Sequence, residues 1–95
     1  MSRVLSVVEG IPAGRVMTYG DVAAAVGTRA ARAVGQVMAR YGSDVPWWRV
    51  VRSTGHPASG HEAAALPRFT EEGTPLVHSD DDGYRVRLTE ARYSG

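Results

Sequence analysis

The stretch TYGDVAAAVGTRAARAVGQVMARY, residues 18–41, predicts two helices joined by a tight turn. Thr18 is a residue type that caps helix N-termini, and Asp21 follows it near the positive end of the helix. We expect Gly27 to end this first helix of the pair. The apolar stripe of the helix consists of Tyr19, Val22, Ala23 and Val26.

We expect Thr28 to cap the second helix of the pair, which runs to about Tyr41. Gly35 lies in its middle at a cost of about 1 kcal/mol relative to alanine, which indicates that something approaches the backbone closely. The predicted apolar side is Ala30, Val34, Val37, Met38 and Tyr41. The other side carries Arg29, Arg32, Gln36 and Arg40. Two helices around a glycine turn, the second with a basic outer face, are typical of a helix-turn-helix.

The flanking segments predict further short elements. Residues 4–10 show the apolar spacing of a helix, and residues 15–17 are expected to be extended. Residues 52–64 are rich in Ser, Gly, Pro and His and predict a loop. A short helix is expected over residues 66–73.

Near the C-terminus, residues 76–77 and 84–88 alternate like strands around a turn at residues 79–83. This pattern predicts a small β hairpin. The fold class is therefore mainly α, a small α+β domain of the winged helix-turn-helix type, and residues 1–95 are expected to form a single domain.

Composition indicates a folded domain and limits the kinds of functional site that the chain can form. The chain has 95 residues, 43% of them hydrophobic and 22% charged, as in a folded domain. It has no cysteine, which excludes disulfides, thiolate metal sites and a cysteine nucleophile. Without a long apolar run or a signal peptide we expect a cytoplasmic protein with no membrane association. His56 and His61 make a poor metal-ligand set without cysteine, so neither a metal nor a cofactor is expected.

Charge is distributed unevenly along the chain. Residues 1–55 carry seven arginines and three acidic residues, whereas residues 56–95 carry four arginines and seven acidic residues. The first part is therefore the expected anion-binding part.

Pro46 precedes two adjacent tryptophans, Trp47 and Trp48. Proline fixes its own φ and favours an extended predecessor, so the segment is predicted to be rigid and non-helical. Neighbouring side chains of an extended segment point to opposite faces. We therefore expect one indole in the core and the other in a cleft. The alternative is that the tryptophans are core residues, as is usual in a small domain.

Four segments together resemble the DNA-binding domain of O6-alkylguanine-DNA alkyltransferases. They are residues 11–16, 18–23, 30–38 and 46–51. In that family the last segment reads Pro-Cys-His-Arg-Val, and the cysteine accepts the alkyl group. Here Trp47 stands at the cysteine position, which is the mark of the alkyltransferase-like proteins. These bind alkylated DNA without repairing it.

The resemblance implies a set of DNA contacts. Arg32 corresponds to the arginine finger that enters the duplex and fills the gap left by a flipped nucleotide, and Tyr19 to the tyrosine beside the rotated phosphate. Small residues at Ala31 and Gly35 correspond to those that let the helix lie in the minor groove. The expected DNA-binding residues are Tyr19, Arg29, Ala31, Arg32, Gly35, Gln36 and Arg40.

The resemblance also implies a pocket for the flipped base. Trp47 and Val50 correspond to its walls, and the lid is expected at Ser59, Gly60 and His61. Trp48 is also assigned to the pocket, either at its rim or in the adjoining protein core. Two positions depart from the family. Trp48 replaces the usual histidine, and the lid has Gly60-His61 where some members have an arginine.

Chemistry that transfers an alkyl group needs a soft, ionisable nucleophile, and thiolate serves near neutral pH. An indole is not a comparable acceptor, so no catalytic residue is expected and the protein is not predicted to be an enzyme. The resemblance implies recognition of O6-alkylguanine in double-stranded DNA and handover of the lesion to nucleotide excision repair. We expect a monomer that lies on the nucleoid when DNA is bound.

The residues alone also allow purely structural roles for several of these positions, and one alternative function. Arg32 is also compatible with a solvated helix face, and Tyr19 with a core position. Arg49 either contacts phosphate or makes internal hydrogen bonds that hold the Trp47 segment. The alternative function is a helix-turn-helix transcription regulator without lesion specificity, which reads sequence in the major groove.

Overall fold

The computed structural model describes residues 3–80 and 83–94. Its helices are α1 (Arg3–Glu9), α2 (Tyr19–Ala25), α3 (Ala31–Tyr41), α4 (Glu62–Glu72) and α5 (Leu88–Ala91). Its strands are β1 (Met17–Thr18), β2 (Val50–Val51), β3 (Leu76–Ser79) and β4 (Gly83–Val86). The predicted fold class, a mainly helical winged helix-turn-helix with a small β element, is confirmed.

The start of α2 follows the sequence prediction. Thr18 Oγ1 accepts a hydrogen bond from the Asp21 amide at 3.0 Å, and Asp21 Oδ2 accepts one from the Thr18 amide at 3.1 Å. This reciprocal pair is a capping box. Gly27 follows the helix with φ of 83°, a conformation that favours glycine, so the predicted end of α2 is also confirmed.

The predicted cap of α3 is wrong. The helix begins at Ala31, and its N-cap is Ala30, which makes no side-chain capping bond. Thr28 Oγ1 instead accepts a hydrogen bond from the Ala30 amide at 3.1 Å, so the threonine stabilises the turn before the helix. Of the predicted apolar side, Val34 is fully buried, whereas Ala30 and Tyr41 are exposed and do not belong to the core.

Two pairs of strands connect distant parts of the chain. Strands β1 and β2 run parallel, with Met17 opposite Val50, and β3 pairs antiparallel with β4. The predicted hairpin is present, but Leu88 begins α5 instead of extending the second strand. The predicted turn at residues 79–83 includes Asp81 and Asp82, which lie outside the described residues.

The core consists of two clusters that meet at these strands. Successive strand side chains point to opposite sides. Val50 accordingly packs in a cluster with α1, α2 and α3, and Val51 packs in a cluster with α4 and the hairpin. The first cluster includes Val8, Ile11, Met17, Val22, Val34 and Val50. The second includes Val16, Val51, Ala65, Phe69, Tyr84 and Val86.

Helix α4 begins earlier than the sequence predicts. It starts at Glu62, inside the predicted loop of residues 52–64, and ends before Gly73, which has φ of 71° as expected for a C-terminal glycine. Within the described residues, no helix has the length and the apolar character that crossing a bilayer requires.

The prediction of a non-helical Trp47–Trp48 segment is wrong. Trp47–Arg49 forms a single 3-10 turn directly before β2. The reason is long-range: the turn is held by the Arg49 side chain, whose partners lie in other parts of the chain. Both indoles are half-buried, so neither is a fully buried core residue.

Candidate nucleic-acid interface

A cavity of about 470 Å³ lies between α3, the Trp47–Arg49 turn and the loop that precedes α4. Its volume falls in the range of roughly 300–1,000 Å³ that small-molecule sites occupy. The lining residues are Tyr19, Gly35, Met38, Ala39, Gly42, Ser43, Trp47, Ala58, Ser59 and His61. The structure therefore brings together residues from five of the sequence-predicted site positions: Tyr19, Gly35, Trp47, Ser59 and His61.

Several lining residues were not predicted as site residues. Met38, Ala39 and Gly42 follow Gly35 by three, four and seven positions, so they share one face of α3. That helical spacing from Gly35 is the signal that identifies them. Ser43 and Ala58 carry no comparable signal in the sequence.

Two aromatic rings form part of the cavity wall. The centroids of the Trp47 and His61 rings are 5.6 Å apart, with planes tilted by 54°. His61 is exposed and Trp47 is half-buried, so the indole is not sealed in the core. An exposed aromatic face beside a cavity suits stacking of a planar ligand.

Trp48 does not line this cavity, contrary to the prediction that it belongs to the same pocket. Its ring lies 5.7 Å from that of Trp47, nearly perpendicular, and lines a second cavity of about 440 Å³. The guanidinium carbons of Arg68 and Arg49 lie 4.7 and 5.3 Å from the Trp48 ring centroid. Trp48 therefore packs against cations behind the pocket wall.

Val50 is also not a wall of the cavity. It is 1% exposed, belongs to the first core cluster and pairs with Met17 in the parallel β1–β2 ladder. Its side chain packs in the cluster formed with α1, α2 and α3. Gly60 lies between two lining residues and has φ of 86°, so it turns the loop without lining the cavity itself.

Arg49 makes the internal hydrogen bonds that the sequence left as one of two alternatives. Its Nη1 donates to the Ile11 carbonyl at 2.9 Å and its Nε donates to Glu72 Oε1 at 3.0 Å. Its Nη2 forms an ion pair with Glu72 Oε2. Glu72 Oε1 also accepts from the Gly14 amide at 3.0 Å. We call these four residues the Arg49 clamp, and they fix the turn that carries Trp47.

Electrostatics agree with this arrangement. Burial alone raises the pKa of Glu72, but the hydrogen bonds from Arg49 and the Gly14 amide outweigh it and hold that pKa below its ordinary value. The two side chains of the ion pair are only 16% and 10% exposed. The pair is therefore shielded from solvent and less screened by salt than a surface pair.

The outer face of α3 is arranged differently. Arg32, Gln36 and Arg40 lie four residues apart on one exposed row, and Arg29 lies exposed just before the helix. Within the described residues, Arg32 and Gln36 make no hydrogen bond or ion pair. The guanidinium of Arg40 lies 5.9 Å from the ring centroid of Tyr41.

Ala31 and Gly35 lie half-buried next to this row, and because both residues are small, little side-chain volume covers the α3 backbone there. A Cβ added to Gly35 would meet no atom within 4 Å. Packing inside the protein therefore does not require glycine at this position. Glycine is nevertheless present, and it lowers the stability of the helix.

Tyr19 is the first residue of α2, and its side chain lines the cavity. It is half-buried, and burial raises the pKa of its phenol while the positive charge of Arg52 opposes that rise. The hydroxyl therefore stays protonated at neutral pH and is available as a hydrogen-bond donor.

The loop before α4 is rigidly held. Arg52 Nε donates to the Pro57 carbonyl at 2.8 Å, and the Arg52 amide donates to the His56 carbonyl at 2.8 Å. Gly55 has φ of 92°, and a Cβ there would lie 2.4 Å from the Val86 carbonyl oxygen. Only glycine fits that contact, which ties the loop to β4. Within the described part of the chain, no three His, Asp or Glu side chains are grouped so as to hold a metal.

Comparison with known proteins assigns the family. The pattern of the family described as "6-O-methylguanine DNA methyltransferase, DNA binding domain" matches residues 1–71. Alkyltransferase-like protein 1 of Schizosaccharomyces pombe is 35% identical over 96 residues, covering 94% of this chain and 89% of that protein. The DNA base-flipping protein of Escherichia coli is 54% identical over 56 residues, which are 56% of this chain and 43% of that protein.

The fold agrees with solved structures of the yeast relative. A crystal structure of S. pombe Atl1 in complex with damaged DNA containing O6-carboxymethylguanine matches with a TM-score of 0.85 and 34% identity, covering 98% of this chain and 93% of that one. A second structure, of S. pombe ATL in complex with DNA, matches with a TM-score of 0.84. The chain therefore belongs to the family of the 6-O-methylguanine DNA methyltransferase DNA-binding domain, as one of its alkyltransferase-like members.

Proposed function

We propose that this protein recognises O6-alkylguanine in double-stranded DNA without repairing it chemically. The observation that carries the proposal is the cavity beside Trp47. Gly35 of α3 lines this cavity, and the same helix carries the exposed Arg32 and Arg40. One surface thus offers both a place for a duplex and a place for a single base. Two relatives support this proposal: S. pombe Atl1, whose structure is a complex with damaged DNA, and the DNA base-flipping protein of E. coli.

Docking of DNA is assigned to α3. Its exposed row of Arg32, Gln36 and Arg40 supplies positive charge and a hydrogen-bonding amide for phosphates, and Arg29 adds a charge at the start of the helix. Ala31 and Gly35 allow close approach of the helix to the minor groove. This part of the binding is expected to weaken as salt rises, because phosphate contacts release counterions.

Flipping of the damaged nucleotide is assigned to Arg32 and Tyr19. Extruding a base costs a few kcal/mol of stacking and pairing. The exposed Arg32 guanidinium recovers part of that cost by occupying the gap and hydrogen bonding to the orphaned partner base. Tyr19 at the cavity edge contacts the phosphate beside the lesion and favours its rotation.

Capture of the base is assigned to the cavity. Stacking against an aromatic ring such as Trp47 contributes about 1–3 kcal/mol per base. The Arg49 clamp holds the turn and so presents the Trp47 ring to the cavity in a fixed position. Ser59 and His61, from the loop before α4, line the same cavity and contact the captured base there.

Transfer of the alkyl group is absent from this function. The chain has no cysteine, and the residue at the acceptor position is Trp47. Since the lesion persists in the complex, another system must remove it. We assign the protein the role of a monomer that marks the lesion for nucleotide excision repair, which rests on the family resemblance. We also propose that it is located in the cytoplasm and on the nucleoid.

The test is an equilibrium titration of matched duplexes that contain guanine or O6-methylguanine in several sequence contexts, at two salt concentrations. We expect tighter binding to the lesion in every context and no transfer of radiolabelled methyl to the protein. Equal affinity for both duplexes, or a preference for one sequence regardless of the lesion, would instead indicate a transcription regulator. Stoichiometric label on the protein would show a repair enzyme.

A further inference from the structure

Arg52 lies beside Tyr19 because β1 and β2 are paired in parallel. In that pairing Thr18 is opposite Val51. Tyr19 and Arg52 are the next residues of the two segments, so both leave the strand pair at the same edge. Neighbouring strands are about 4.8 Å apart, which brings the two residues close together. The positive charge of Arg52 accordingly acts on the Tyr19 phenol and lowers its pKa, against the larger effect of burial.

The Arg52 side chain is held by the protein at Nε, while its outer nitrogens stay accessible. Nε donates to the Pro57 carbonyl at 2.8 Å, which fixes the direction of the guanidinium. Nη2 lies 3.8 Å from Glu62 Oε2, which is beyond hydrogen-bond distance. Within residues 3–80 and 83–94, neither Nη atom makes a hydrogen bond, and the side chain is 42% exposed. Oriented donors are therefore available there to a ligand.

Arg49 and Arg52 flank β2 and differ in the use of their nitrogens. Arg49 donates from Nε, Nη1 and Nη2 to partners inside the fold. The one internal side-chain hydrogen bond of Arg52 needs an N–H but neither the charge nor the two Nη atoms. The charge and the paired outer donors are the parts of a guanidinium that bind phosphate.

We propose that Arg52 binds the DNA phosphate that Tyr19 contacts beside the flipped nucleotide, an inference that rests on the proposed function. A neutral phenol donates a single hydrogen bond and brings no charge. The guanidinium adds a positive charge and further donors, and hydrogen bonds between charged groups are roughly twice as strong as neutral ones. Tyr19 and Arg52 thus form a phosphate site that is separate from the outer row of α3.

The test removes the charge from the phosphate and from the arginine separately. O6-methylguanine duplexes carry a neutral methylphosphonate in place of one or the other phosphate that flanks the lesion. Arg52→Gln keeps an N–H at the chain position of Nε, so the bond to the Pro57 carbonyl is retained, but it lacks the charge and both Nη atoms. Arg85→Gln makes the same change of charge on β4 and is the matched control.

We expect one of the two methylphosphonates to weaken binding by the unchanged protein about tenfold, the scale of one hydrogen bond to a charged group. The same methylphosphonate should weaken binding by Arg52→Gln no more than about threefold, because only the contact with the phenol remains. Arg85→Gln should show the full loss.

A full loss in Arg52→Gln, or no loss from either methylphosphonate in the unchanged protein, would overturn the inference. The proposed function would stand as long as the unchanged protein prefers O6-methylguanine over guanine in all-phosphate duplexes. Absence of that preference would overturn the proposed function itself.

Glu62→Gln probes the same contact without altering Arg52, and it decides the question if Arg52→Gln lowers the melting temperature. The Glu62 carboxylate competes for the guanidinium, so its removal should tighten binding to the all-phosphate duplex about threefold. That gain should vanish on the methylphosphonate duplex. Glu71→Gln, at an exposed acid of the same helix, should affect both duplexes equally. The same gain on both duplexes in Glu62→Gln would contradict the phosphate contact.

Discussion

Two arginine-bearing regions of the molecule differ in what they do with their charge. On the outer row of α3, Arg32 is exposed and makes no hydrogen bond or ion pair with any described residue. In the Trp47–Arg49 turn, Arg49 donates to Glu72 and to the Ile11 carbonyl and is largely buried. The first arginine is available to a ligand, and the second is committed to the fold.

This difference separates the residues that determine affinity for DNA from those that determine the stability of the fold. Substitutions on the α3 row should change affinity for DNA and leave stability nearly unchanged, because no internal contact is lost. Substitutions in the Arg49 clamp should lower stability first and affinity only through the position of Trp47. Each prediction below tests one side of this division.

The largest effect is expected from Glu72→Ala. Removing one partner of a largely buried ion pair leaves the other charge unpaired, and the free energy of unfolding should fall by about 3 kcal/mol. Urea denaturation measures this. Glu71→Ala, at the exposed neighbouring position, is the control and should change stability by no more than about 0.5 kcal/mol. Equal small effects from both would show that the clamp does not hold the turn.

Arg32→Ala should weaken binding to the O6-methylguanine duplex by about 2 kcal/mol, roughly thirtyfold, because the gap left by the flipped base is no longer filled. Its urea midpoint should not move. Arg85→Ala on β4 removes the same charge from the hairpin and is the control. Arg92 is unsuited for that purpose, since it pairs with the capping residue Asp21. Similar losses in both variants would contradict a specific role for Arg32.

Acid should remove part of the stability. The hydrogen bond from Arg92 lowers the pKa of Asp21, and that of Glu72 is also lowered. A lowered folded-state pKa contributes stability that is fully present above the ordinary carboxyl value of about 4 and is lost as pH falls through the folded value. The melting temperature should be steady from about pH 7 to pH 5 and decline below about pH 4. A constant melting temperature down to about pH 3 would contradict the assignment.

Gly35→Ala is expected to give the smallest effect, with opposite signs for stability and binding. The free protein should gain up to about 1 kcal/mol in unfolding free energy, since alanine favours the helix and its Cβ meets nothing. Affinity for the duplex should fall, because the methyl group stands where DNA approaches. Ser6→Ala in α1 is the control, a helix stabilisation that leaves binding unchanged. Unchanged binding by Gly35→Ala would remove this face of α3 from the interface.

The parts of the fold that were predictable are those that depend on local chemistry. Thr18 and Asp21 satisfy each other across three residues, and Gly27 and Gly73 end helices through their own positive φ. Nothing distant is needed for these contacts. The sequence therefore indicates both ends of α2 and the end of α4 correctly.

The errors arise where distant contacts decide. The Trp47–Arg49 turn depends on Glu72, 23 residues away, and the parallel pair of Met17 with Val50 joins separate segments. The start of α4 was missed because His61 is not a capping residue type. In the candidate site, family resemblance located Trp47 and the lid, whereas the exclusion of Val50 and Trp48 from the cavity depends on tertiary packing.

The most direct test of the account fills the cavity. Ala39 is exposed on α3 and lines the cavity, and Ala24 is an exposed alanine on α2 that does not line it. Ala39→Leu should reduce the preference for O6-methylguanine over guanine to about one, with folding intact, whereas Ala24→Leu should retain the full preference. A full preference in Ala39→Leu would contradict the claim that the alkylated base is held in this cavity.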